Sequence, residues 1–122
     1  MVDIWVEKET GLQYVEFLIK YILSSMENNK GDYNMPTISM FFGIIVRMYC
    51  SPKEHNPPHI HAYYQDHKAI VDINTCEITD GKLPPKQSKM IVAWAEIHKD
   101  ELLADWDLAS KGELPFKIDP LK

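Results

Sequence analysis

Four of the five histidines in this 122-residue chain fall between His55 and His67. They sit in the run HNPPHIHAYYQDHKAIVDIN, with Asp72 near its end. Imidazoles and a carboxylate at this density are groups that bind a metal ion or move a proton near neutral pH. From His59 to Gln65 the residues alternate, with Ile60, Ala62 and Tyr64 on one side and His59, His61 and Tyr63 on the other. Lys68 to Asn74 alternates as well, with Ala69, Val71 and Ile73 against Lys68, Ile70 and Asp72. A hairpin with Asp66 and His67 at its tip pairs Gln65 with Lys68, placing His61 opposite Asp72 and His59 opposite Asn74. A one-residue slip would mix the apolar and polar sets, so the pattern itself argues for this facing.

Three readings follow for these residues. In the first, His59, His61 and Asp72 hold one side of an Fe(II), Mn(II) or Zn(II) ion, and His55 adds a ligand from the loop, as in a metal-dependent hydrolase or oxygenase. In the second, Asp72 orients His61 for acid–base chemistry without a metal. Tyr63, Arg47 or Lys68 then contacts a phosphate-bearing substrate, as in small RNA-cleaving toxins. In the third, His61 and Asp72 are a cross-strand hydrogen-bonded pair, His55 and His59 anchor the Pro-rich loop through backbone carbonyls, and the surface serves a binding partner.

The elements that must position these residues are legible in outline. Leu12, Val15, Leu18, Ile19, Ile22 and Met26 mark an amphipathic helix over residues 12–26, and the polar run from Asn28 to Asp32 stops it. A boundary near residues 28–34 separates this helix and linker, residues 1–34, from one domain over residues 35–122. Ile38 to Cys50 predicts a long buried strand interrupted by Gly43 as a bulge or a close approach. Ser51 to Pro58, with its three prolines, is a loop. A short extended piece near Glu77 to Thr79 precedes a turn at Asp80-Gly81. Ile91, Trp94, Ile97 or His98, Leu102, Trp106 and Ala109 form a helical stripe, read as two helices meeting near residues 98–100 and stopped by Gly112. Trp94 and Trp106 belong to the core or face a partner, and His98 packs on Trp94. Leu114 to Ile118 is an extended tail lying on the sheet. The expected fold is α+β, an antiparallel sheet of three to four strands packed by C-terminal helices, with the N-terminal helix added.

Composition limits the classes. The chain is 45% hydrophobic and 25% charged, an ordinary globular balance. No apolar run is long enough to span a bilayer as a helix, and the N-terminus has no signal-peptide pattern, so a cytoplasmic location without membrane contact is expected. Cys50 and Cys76 are isolated, as buried reduced thiols would be. The net charge of −5 disfavours general nucleic-acid binding. The acidity is concentrated in Glu96 to Glu113, which leaves local RNA contact near Arg47, Lys53 and Lys68 open.

Met35-Pro36-Thr37-Ile38, Phe42-Gly43, Arg47-Met48-Tyr49, the HNPPHIHAYY segment, Gly81-Lys82-Leu83-Pro84, and the set Trp94, His98, Glu101-Leu102 and Trp106 together resemble a small bacterial family, domain of unknown function 4160. The resemblance covers about residues 35–122. It brings no settled activity, but it implies a two-protein module of toxin–antitoxin type, with a small protein encoded by a neighbouring gene as partner. Such proteins begin at the methionine corresponding to Met35. Lys30-Gly31-Asp32 can be encoded by a purine-rich ribosome-binding sequence at a suitable distance before it. Translation is therefore expected to start at Met35, against which stands the good amphipathicity of the preceding helix.

Overall fold

The computed structural model describes residues 35–50 and 57–122. The N-terminal helix and the boundary expected before residue 35 lie outside the described residues. Within them, five strands are followed by two helices: β1 (Thr37–Phe41), β2 (Ile44–Arg47), β3 (His59–Tyr64), β4 (His67–Asp72), β5 (Glu77–Lys82), α1 (Pro85–Ile97) and α2 (Lys99–Ser110). The strands form one antiparallel sheet in chain order, so β3 is central. This is α+β as expected, with five strands in place of three to four.

The additional strands have local causes. Phe42 and Gly43 both take positive φ, 47° and 85°, the arrangement of a two-residue hairpin turn whose twist matches its strands. The expected long strand therefore folds back on itself as β1 and β2. Asp80-Gly81 is likewise no turn: β5 runs through it, and an irregularity in register between Ile70 and Val71 absorbs the extra residue.

The sheet's apolar side carries Ile44, Val46, Ile60, Ala62, Ala69 and Val71, which join Trp94, Ile91, Ala95 and Leu102 of the helices in one buried core. Phe41 meets Trp94 with ring centres 5.3 Å apart. Pro85 opens α1 where its missing N–H costs nothing. The stripe divides at His98, as expected. His98 caps α2, its Nδ1 pairs with Glu101 one turn on, and its ring packs on Trp94 at 5.4 Å. The amides of Gly112 and Glu113 donate to Ala109 and Leu108, which closes α2 with the expected stop.

The tail then runs beside β1. The Ile118 amide donates to the Ile38 carbonyl at 2.8 Å, Lys117 Nζ to the Thr37 carbonyl, and Trp94 Nε1 to the Asp119 carbonyl. Edge-strand groups of β1 are thereby satisfied within the chain. Cys50 and Cys76 are buried free thiols. No described helix is long and apolar enough to cross a membrane.

A histidine face on the central strand

The side of the sheet away from the core carries His59, His61 and Tyr63 on β3, with Ile45 and Arg47 on β2 and Lys68, Ile70 and Asp72 on β4. The facing expected from alternation holds, but the register differs by two residues. Tyr64 pairs with His67, so the tip is Gln65-Asp66, with Gln65 at φ 53°, the positive φ that a two-residue hairpin needs at its first position. His67 enters β4 near Tyr64, with ring centres 6.5 Å apart.

The consequence for the site is direct: Asp72 lies opposite His59, and His61 lies opposite Ile70 on β4 and Arg47 on β2. Asp72 is also engaged elsewhere. Its Oδ1 accepts the amides of Asn74 at 2.8 Å and Thr75 at 3.0 Å, stabilising the turn into β5. The expected His61–Asp72 pair is absent because the hairpin tip sits one step earlier.

His59 Nδ1 lies 2.8 Å from the Pro57 carbonyl. A carbonyl only accepts, so Nδ1 carries a proton and donates it to this bond. This is the loop-anchoring contact expected for His59. The ring also packs on Trp106 at 5.1 Å and, edge-on, on His61 at 5.3 Å. His55 lies outside the described residues.

His61 is the unusual member. It is 9% exposed, and among the described residues neither Nδ1 nor Nε2 has a hydrogen-bond partner. Its ring lies between His59 and Tyr63, nearly parallel to Tyr63 at 6.5 Å. Burial, then the neighbouring charges of His59 and Lys68, lower its pKa to about 4, so it is neutral at physiological pH. A buried polar group without a partner costs about 1–3 kcal/mol.

Around Tyr63 the face is cationic. The Arg47 guanidinium and the Lys68 ammonium each lie 5.8 Å from its ring centre. Lys82 of β5 stands directly opposite Lys68. Sequence reasoning missed Lys82, because its place in this row depends on the irregular register of β5. It also missed Trp106 as the neighbour of His59, since a helical stripe does not specify which strand end it reaches.

Among the described residues, no group of three His, Cys, Asp or Glu side chains is placed to hold a metal ion. The face thus brings His59, His61, Tyr63, Arg47 and Lys68 together, while the Asp72 carboxylate is committed to its turn.

A five-stranded meander backed by two helices, with imidazoles on its central strand, defines a small α+β domain class by its architecture. A family model described as "Domain of unknown function (DUF4160)" matches residues 43–107, more than half of the chain, and the chain belongs to that family. No curated protein and no solved structure matches it.

Proposed function

We propose that the protein is one component of a two-protein module of toxin–antitoxin type, with the His59–His61–Tyr63 face as the surface that engages its partner. The observation behind this reading is His61, buried on the central strand with both ring nitrogens unpartnered among the described residues. A purely structural histidine would be bonded, because leaving it unpaired costs stability at every moment of the folded life of the protein. A group retained at that cost suits recognition, where the partner supplies the missing donor or acceptor.

The test is co-expression with the small protein encoded beside it. The two are expected to elute as one complex, and β3 amides should exchange hydrogen more slowly in it. Separate elution, or protection confined to other elements, would refute the proposal.

A second reading, a metal-dependent hydrolase or oxygenase, is favoured by one distance. Two imidazoles on a tetrahedral ion, with metal–nitrogen bonds of about 2.1 Å, have ring centres roughly 5 Å apart. The His59 and His61 rings are separated by 5.3 Å. An Fe(II), Mn(II) or Zn(II) ion there would need its remaining ligands from beyond this pair. Elemental analysis of untagged protein beside the His59→Ala/His61→Ala variant decides. Stoichiometric metal lost in a folded variant would support this reading, and no uptake after anaerobic metal addition would exclude it.

A further inference from the structure

The row Ile45, Tyr63, Lys68 and Lys82 crosses β2 to β5 on the same face as buried His61, and Arg47 stands in the neighbouring row, opposite His61. Lys68 and Lys82 are direct partners in an antiparallel ladder, where like charges repel and cost up to about 1 kcal/mol. In a chain of net charge −5, two cations over one tyrosine ring and a third, Lys82, paired with one of them are a local reversal of sign. Asp80 stands in the neighbouring row opposite Ile70, but its Oδ1 accepts the Gly81 amide.

We infer that Arg47, Lys68 and Lys82, with His61 beside them, form a binding site for a dianionic phosphoryl group, as inorganic phosphate or a phosphate monoester. Arg47 supplies a planar fork of N–H donors, and Lys68 and Lys82 supply charge whose mutual repulsion the anion relieves. His61, neutral in the folded protein, offers a ring N–H that has no acceptor among the described residues. Cation–π contact with Tyr63 holds Arg47 and Lys68 near the site before the ligand arrives. A divalent cation is the poorer occupant, because the same charges oppose it.

The inference rests on reading this face as the functional surface, and its test separates the two. The ¹⁵N-labelled full chain is titrated with inorganic phosphate at constant ionic strength, chloride balancing the salt. Saturable shifts are expected at Arg47, His61, Tyr63 and Lys68. Lys68→Gln/Lys82→Gln should weaken binding at least about fivefold, as loss of two exposed charge contacts would. Phenyl phosphate distinguishes the sources: tighter binding than phosphate identifies an ester as the ligand, and equal binding identifies free phosphate. Shifts that rise without saturating, or that persist unchanged in the double variant, would overturn the site. Partner complex formation without phosphate saturation removes the phosphoryl assignment alone. Phosphate saturation without a partner complex removes the module and keeps the site.

Discussion

His59 and Asp72 are direct partners across the β3–β4 ladder, and this pairing leaves His61 facing Ile70 in place of the Asp72 carboxylate. The Asp72 carboxylate is bonded instead to the amides of Asn74 and Thr75. Asp72→Ala should therefore act on the turn. Removing a side chain that satisfies two backbone donors costs about 1–2 kcal/mol. The ring ¹⁵N shifts of His61 should stay unchanged. Denaturant unfolding and imidazole NMR check both, and a shift at His61 would show that the two residues are coupled after all.

Below neutral pH, two described groups bias stability in opposite senses. His61 titrates near 4 when folded, below its ordinary 6.5. The unfolded chain takes up the proton first, so this contribution to stability is lost as pH falls from about 6.5 to 4. Asp105 is 3% exposed, its Oδ2 has no partner among the described residues, and burial raises its pKa from 3.8 to about 6. The bond from the Phe116 amide to its Oδ1 pulls the other way, and nearby Glu101 adds to the rise. The folded state keeps a proton that the unfolded chain releases, so this contribution is lost as pH rises from about 3.8 to 6. Between pH 4 and 6 the two slopes, each at most about 1.4 kcal/mol per unit, oppose one another. From these two groups, His61→Leu should gain stability relative to wild type as pH falls from 6 to 4, and Asp105→Asn should lose it. Unfolding curves at pH 4, 5 and 6 test this, and identical pH profiles for all three proteins would reject it.

Two glycines differ in what a methyl group would meet. At Gly43, φ +85°, an added Cβ lies 2.9 Å from the Tyr64 ring, which can turn aside. At Gly81, φ +70°, it lies 2.2 Å from the Lys68 carbonyl oxygen, which belongs to the ladder. Gly43→Ala should cost about 1–2 kcal/mol from its backbone angle and the ring shift. Gly81→Ala should cost more than that, by opening the β4–β5 pairing. Thermal unfolding of both ranks them, and the reverse order would contradict this account.

The tail is held by Trp94 as well as by β1. Trp94→Phe preserves most of the ring packing and removes the N–H that bonds the Asp119 carbonyl. A loss of about 1–2 kcal/mol is expected. Faster hydrogen exchange should follow at Ile118, whose amide bonds Ile38. Unchanged exchange there would mean that the tail is secured without the indole.

The division of β3 and β4 into two faces was readable because a strand's side chains alternate strictly, and a register error of two residues leaves that division intact. Choosing between Asp66-His67 and Gln65-Asp66 as the tip was not possible from alternation, since both satisfy it. Phe42-Gly43 carries no familiar turn sequence, which hid β1 and β2 inside one apolar run. The break at His98 and the tail from Leu114 were legible from the helical stripe and Gly112. The isolation of the His61 nitrogens was not, because it depends on which residue stands opposite and on where Asp72 spends its oxygens.

The most direct test of the functional face joins stability and partner affinity in His61→Leu, with His61→Phe as a second, larger replacement. Removing an unpartnered buried imidazole should raise stability by about 1–2 kcal/mol at pH 7. The same change should weaken binding of the proposed partner protein at least about tenfold, the loss of one buried polar contact. A folded variant that is less stable and binds equally well would contradict the account, since His61 would then be a structural residue and the face would have no part in recognition.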